Sequence, residues 1–440
     1  MSDNNVPFMR KLLMYACDIQ PQETRVTLAS FTLVMMMMGS YYILKPVRDA
    51  MASDWTDAEV SWLWTATFFF SFIAVSLYGI AISRVRFKRL VPAVYGFFAL
   101  SFVLFYLGTQ WVTERTSLDK SFYVWISLFS LFHISVFWSF MADTFSRPQS
   151  LRLFAFIGAG ASIGGLLGPA IATFLAGDLG TDNLMLIASA MMVLALPLVS
   201  WVQHLKLTDL NNAGVKVDTR DLQYIGGNPL AGFNDFIRSP YLLGIGLFIF
   251  LYTSISSFVY FELKNLLGVY EQETRAQIWA GMDLAVNSLT IVIAAFATGR
   301  IAKRFGLAIT LSCVPVIVGA GMLILSALPM VAVVVALQVV RRAGNFAISR
   351  PAREMLFTAV DRETRFKAKP VIDIVIYRGG DMLNAWAFTL LTQGLGLGLA
   401  AVAAVGAGIA LLWAATGWYL GKHFHRLEPE PAGAAAQATS

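Results

Sequence analysis

Apolar residues in this chain neither alternate nor keep to one helical stripe; they run on for about twenty positions at a time and are then cut by short polar punctuation. A helix needs roughly 20 mostly apolar residues to cross about 30 Å of hydrocarbon. Runs of that kind fall at 26–46, 61–83, 90–109, 121–141, 153–176 and 184–203, and again at 241–263, 277–299, 307–327, 330–349, 371–392 and 397–420. The pattern predicts an all-α membrane protein of about 12 transmembrane helices. Residues 204–240, broken by Gly, Asn and Pro, form the long polar interval and separate an N-terminal six-helix bundle (26–203) from a C-terminal one (241–420). The lead-in segment 1–25 carries Asp3, Arg10, Lys11, Asp18 and Glu23, which leaves no signal-peptide core, so no segment is expected to be removed on export. Phe8, Leu12, Tyr15, Ala16 and Ile19 share one face there, fitting either an amphipathic helix in the cytoplasmic interface or a soluble lead-in helix. The tail 421–440 ends EPEPAGAAAQATS and reads as disordered.

Composition agrees: 57% of residues are hydrophobic and 14% charged, with a mean hydropathy of +0.65, whereas a soluble domain carries close to twice that charge. The net charge of +6 belongs to the loops, so nucleic acid is not expected as a partner. One side of the membrane holds Arg84, Arg86, Lys88 and Arg89, then Arg147 and Arg152, then Arg300, Lys303 and Arg304, and the cluster from Arg350 to Lys369. The other side has little beyond Arg115, Lys120 and Arg275. The positive-inside rule makes the first side cytoplasmic, with both termini there, in an inner membrane. Cys17 and Cys313 lie far apart without a CxxC or His partner, which argues against a disulfide framework or a metal. No HExxH, Gly-Lys-Ser/Thr phosphate loop or GxSxG elbow occurs, so neither an enzyme nor a cofactor is expected.

The halves echo each other. RVRFKR (84–89) follows the second run and RIAKRF (300–305) the eighth; Arg147, Arg152 and Gly164-Gly165 recur in spacing as Arg362, Lys367 and Gly379-Gly380. Two matches at nearly one offset indicate duplication, and the 6+6 pseudo-symmetric arrangement resembles the major facilitator superfamily. That resemblance implies a solute path lined by the first, fourth, seventh and tenth spans; a monomer is expected. In the fifth run Gly160, Gly164 and Gly168 share a face, which lets another helix approach closely. The stretch from Gly164 to Pro169 also resembles the glycine-proline motif of drug–proton antiporters.

A charge at bilayer depth is costly unless it meets water, a partner or a ligand, so such residues are functional candidates. Tyr41, Lys45, Arg48 and Asp49 close the first span, His133 lies mid-fourth, and Glu262 and Lys264 close the seventh. Asp283 lies in the eighth, Arg341 and Arg342 in the tenth, and Asp373, Arg378, Asp381 and Asn384 in the eleventh. Lys45, Arg48, Lys264, Arg341, Arg342 and Arg378 outnumber Asp49, Glu262, Asp283 and Asp381, so an anion completes the set. The planar fork of Arg suits phosphate or carboxylate, and Lys acts as a point charge. The basic residues, with Tyr41 and Asn384, are therefore expected to bind substrate. Asp49, His133, Asp143, Glu262, Asp283, Asp373 and Asp381, with Arg84 and Arg300 in the loops, are expected to couple or gate. The competing reading makes these residues internal salt bridges that hold one state of the halves. Adjacent Arg341 and Arg342 point about 100° apart, so one faces the path and the other pairs with an acid.

The segment PAREMLFTAVDRETRFKAKPVIDIVIYRGGDMLN (351–384) resembles the ATP/ADP translocase family of nucleotide transporters, through Pro351, Arg353, Glu354-Met355, Phe357, Asp361, Glu363, Lys367, Lys369, Ile372-Asp373, Arg378 and Gly380. YYILKPVRD (41–49), VFWSFMAD (136–143) and SPYL (239–242) are similar to that family's first helix end, fourth helix and seventh-helix entry. The resemblance implies nucleotide counter-exchange by alternating access, with Lys45 and Arg48 meeting phosphate, Asp143 as the functional acid and Arg378 as a cavity cation. It departs at Pro46, where the family often has an acid, and at Asp381, where ATP/ADP exchangers tend to carry a lysine, which implies a solute with fewer charges than ATP. Two rivals remain: a proton-driven exporter of drugs or metabolites, favoured by Gly164 to Pro169 with Asp283 and Asp381, and a membrane interaction platform that transports nothing.

Overall fold

The computed structural model describes residues 19–84, 87–210, 236–296, 298–360 and 371–427. Most of 1–25, most of 204–240, the motif residues 361–370 and the tail from 428 lie outside them. Every predicted apolar run becomes a helix. In chain order these are α1 (Thr24–Met51), α2 (Asp57–Arg84), α3 (Phe87–Trp111), α4 (Arg115–Thr144), α5 (Arg147–Leu179) and α6 (Thr181–Thr208). After the central interval come α7 (Pro240–Leu267), α8 (Gln272–Phe296) and α9 (Thr298–Ala327). Helix α10 runs over Val331–Gly344, a π-helical turn at Asn345–Ser349 and Arg350–Leu356. Helix α11 joins π-helical Val371–Ile376, α-helical Tyr377–Thr389 and π-helical Leu390–Gly394, and α12 is Leu399–Leu427. No strand occurs among the described residues, and ten of the helices are long and apolar enough to cross a bilayer.

Helix ends overrun the apolar runs because polar residues cap them. Ser146 and Gln149 form a reciprocal capping box at the start of α5, with Pro148 in its first turn. Ser239 Oγ accepts a hydrogen bond from the Leu242 amide at the start of α7, 3.3 Å away. Gly180 (φ 79°) turns the chain from α5 into α6 and Gly396 (φ 67°) turns it from α11 into α12, equivalent places in the two halves and a conformation that favours glycine. Large apolar side chains also face outward, among them Phe69 and Phe70 on α2, Leu100 and Leu104 on α3, and Leu411 and Leu412 on α12. Water would not tolerate so much exposed hydrocarbon, and lipid does.

The chain divides into two compact units, one formed by Met1–Asp54, Phe69–Leu222 and Tyr270–Leu284, the other by Trp55–Phe68, Gln223–Val269 and Ala285–Ser440. The first unit therefore takes in the start of α8, and the second the start of α2. In the first, α1 packs on α5, α6 and α4, while α3 packs on α6 and α4. The glycine face of α5 lies directly on α1: a β-carbon on Gly160 would stand 2.5 Å from the Phe31 carbonyl oxygen, and one on Gly168 2.5 Å from that of Gly39. At Gly164 it would meet the Met35 carbonyl oxygen and the Gly39 nitrogen. These glycines are a packing surface. In the second unit α12 packs on α9 and α7, and α7 on α11 and α10, with Trp413 lying against Phe248 and Tyr252.

Candidate functional site

In the first unit the candidate residues gather at the end of α1. Lys45 and Asp49 are one turn apart, and the Lys45 ammonium donates to Asp49 Oδ2 at 2.9 Å and to Asp283 of α8 at 2.9 Å. Arg48 grips Asp49 Oδ1 through Nε at 2.9 Å and Nη2 at 2.5 Å, and donates from Nη1 to Ser127 Oγ on α4 at 3.2 Å. Aromatic faces close the cluster, with Trp279 under Lys45 and Tyr123 under Arg48. Lys45 and Arg48 keep 14% and 13% of their side-chain surface, whereas Asp49 and Asp283 keep 1% and none. Two cations thus face two carboxylates, and the charge is balanced inside the protein. Tyr41, one turn earlier, stacks on His133 with ring centres 4.7 Å apart. His133 is buried, with Nδ1 3.1 Å from the Phe129 carbonyl oxygen and Nε2 3.2 Å from the Met38 sulfur.

In the second unit the balance differs. Arg341 on α10 is 2% exposed; its Nε and Nη2 donate to Gln338 Oε1 at 2.8 and 2.5 Å, and its guanidinium lies 5.7 Å from the ring centre of Tyr252 on α7. Among the described residues its Nη1 has no hydrogen-bond partner and Arg341 makes no ion pair. Asn345, one turn further on, donates to the Tyr252 hydroxyl at 3.1 Å, and the Tyr377 ring of α11 lies 6.0 Å from the Tyr252 ring. Arg378 and Asp381 stand one turn apart on α11, both half-buried. Asp381 feels the charge of both Arg378 and Arg341 without being bonded to either. Asn384 donates to the Gly380 carbonyl at 2.7 Å and to Thr253 at 3.3 Å. Arg342 is buried as well. The π-helical turns flank this cluster, one just after Arg342 and one just before Tyr377. Such turns re-aim side chains and are frequent at functional sites.

The remaining candidates are dispersed. Lys264, at the end of α7, is 1% exposed and donates to Asp57 Oδ1 at 2.9 Å and to the Trp55 carbonyl at 2.7 Å; Thr392 of α11 donates to the other Asp57 oxygen. Asp143 is ion-paired with Lys206 at 2.9 Å. Glu262 is fully buried, and neither carboxyl oxygen has a hydrogen-bond partner among the described residues. The side chains of Arg84, Arg300 and Asp373 lie outside the described residues. Sequence reasoning did not single out Gln338, Asn345, Tyr252 or Asp57. Gln338 and Asn345 sit three before and four after Arg341, on its own helix face, and that spacing is the signal that finds them.

The family model of the Major Facilitator Superfamily matches residues 28–363. The chain belongs to that superfamily, and it is a membrane transporter rather than an enzyme. Among solved structures, an alanine mutant of the nucleoside transporter NupG superposes with a TM-score of 0.61 at 12% identity, covering 92% of this chain and 100% of that one. A POT family transporter in complex with 5-aminolevulinic acid gives 0.61 at 12% identity, covering 91% and 96%. The proton:xylose symporter XylE, bound to 6-bromo-6-deoxy-D-glucose, gives 0.56 at 11% identity, covering 90% and 94%. At such identities the likeness is one of fold. No curated protein matches.

Proposed function

We propose that this secondary transporter moves an anionic, nucleotide-like or phosphorylated solute across the inner membrane by alternating access. The observation that carries the reading is Arg341: a guanidinium taken out of water and pinned by Gln338 through two of its nitrogens, with no partner for Nη1 and no bonded carboxylate among the described residues. A cation at depth without a bonded carboxylate is costly, and an anion offsets the cost. Arg378 adds a second positive charge, so that two guanidiniums outweigh Asp381. The half-buried ring of Tyr377 supplies a flat apolar face of the kind a base stacks on. The motif resemblance to ATP/ADP translocases supports counter-exchange as the mode. Asp381 disfavours a triphosphate and supports a less charged solute. Lys45, Arg48 and Lys264 serve the closed ion-pair clusters in this reading, while Arg341, Arg378 and Asn384 meet the solute. Loop charges support cytoplasmic termini, the duplicated motifs support six-helix halves at 26–203 and 241–420, and the chain works as a monomer. Uptake of labelled ATP, ADP, AMP and simple organic phosphates into proteoliposomes tests this. If none enters or competes, the anion reading is wrong.

A further inference from the structure

The start of α9 and the end of α12 meet in a patch of cations that solute transport does not use. Between residues 298 and 311 and between 411 and 427 the sequence holds Arg300, Lys303, Arg304, Lys422 and Arg426, and not one Asp or Glu. The two helices are seated on each other through glycine. A β-carbon on Gly417 would stand 3.0 Å from the Leu311 carbonyl oxygen, and one on Gly421 would collide with the Ala308 backbone. Helix α9 also kinks at Gly306 (φ 76°), a conformation that favours glycine, so residues 298–305 leave the line of the apolar stretch that follows. Arg304 and Phe305 therefore stand at a corner beside the last turns of α12.

Both described cations of the patch lie over aromatic rings. The Arg304 guanidinium is 5.6 Å from the ring centre of Phe305, and the Lys422 ammonium is 4.9 Å from that of Trp418. All four side chains are exposed, and neither cation is bonded to a carboxylate among the described residues. The ring covers one side of each charge and leaves the other side open. Next to Lys422, the His423 ring stacks on Tyr419 with centres 5.7 Å apart and lies 5.9 Å from Tyr241. Tyr241 is itself fixed by donating to the Leu356 carbonyl at 3.0 Å. Away from the cations, toward the middle of the two helices, the exposed side chains include Ile309, Val316 and Ile317 on α9 and Leu411 and Leu412 on α12. Cations and aromatic rings at the helix ends, with bare hydrocarbon beyond them, match the level of lipid headgroups and the acyl chains attached to them.

We propose that the ends of α9 and α12 form a binding site for an anionic phospholipid of the surrounding bilayer, with its phosphate against Arg304 and Lys422 and its acyl chains along the apolar residues beyond. The site goes beyond solute transport and requires only that the chain be embedded in a membrane. Arg304 offers phosphate a planar fork of donors, and Lys422 adds a point charge that can follow it. A zwitterionic headgroup brings its own ammonium, which a patch without acids repels, so the net charge of the headgroup is what the site reads. A free phosphate would gain only an exposed, water-screened attraction. A lipid adds contact along its chains.

The test uses the full chain in neutral detergent, titrated with phosphatidylglycerol or with phosphatidylcholine, and bound lipid is counted by native mass spectrometry. The wild-type protein is expected to prefer phosphatidylglycerol about 25-fold, about fivefold for each cation at an anionic headgroup. R304Q and K422Q are each expected to lower that preference about fivefold, the double variant to bring it near unity, and K422R to keep it. R25Q removes an exposed cation from the first turn of α1 and is expected to change nothing. Equal binding of the two lipids by the wild-type protein overturns the proposal. So does a preference that R25Q lowers as much as K422Q, which would make it a matter of net charge alone. Displacement of phosphatidylglycerol by an equal concentration of inorganic phosphate also overturns it, since the site would then belong to a free anion. Should the double variant not fold, K422Q set against K422R decides the same point.

Discussion

The end of α1 and the middle of α10 carry the same kinds of side chain under opposite electrostatic conditions. At α1, Lys45 and Arg48 are met by Asp49 and Asp283, and the cluster is complete without a guest. At α10, Arg341 is more deeply buried than either of those cations, yet its bonded partners are the neutral Gln338 and the face of Tyr252. A basic residue at bilayer depth is therefore not by itself evidence of a ligand. The presence or absence of a bonded carboxylate separates a brace from a binding group.

Substitutions at the two places are expected to behave as opposites. The largest effect belongs to Asp49→Ala, which leaves Lys45 and Arg48 short of a shared acceptor. Breaking such a buried pair costs about 3–5 kcal/mol, read as a steep fall in thermal stability in detergent; a stable Asp49→Ala would dissolve the distinction. Next comes Arg341→Met, where melting is expected to hold or rise while ADP binding weakens about tenfold or more, the scale of losing one charge-assisted contact. A loss of stability without a loss of binding would turn Arg341 into a second brace. Smaller again is the exchange of Lys45→Asp with Asp283→Lys, for which the double variant should recover about 1–2 kcal/mol relative to the sum of the singles. The smallest is Ser127→Ala, which removes one hydrogen bond to Arg48 and should cost about 1 kcal/mol with no change in ADP affinity.

The helices were legible because a twenty-residue apolar run has few other uses, and all twelve runs appear as helix. Their ends were less so: the cap at Ser146 carries α5 back into the polar sequence RPQSLR, ahead of its apolar run. For the site, charge at depth identified Lys45, Arg48, Asp49, Asp283 and Arg341 one by one, but not who meets whom. Asp57 and Asp54 sit in polar punctuation between helices, where acids are unremarkable, and only folding brings them to Lys264 and Arg275. Gln338 and Asn345 carry no charge, so charge at depth does not point to them. The π-helical turns at Asn345–Ser349 and Val371–Ile376 change which way Tyr377 and its neighbours point, and a period of 3.6 does not anticipate them.

The glycine face of α5 has a mechanical side. With Gly164 seated on the Met35 carbonyl and Gly168 on that of Gly39, the two backbones touch with no side chain between them to act as a bearing. Neither rod can slide or roll past its neighbour without a collision of main-chain atoms. Any tilt that loosens the Lys45 end of α1 must therefore be shared by α5 along its length, and the pair travels as one strut.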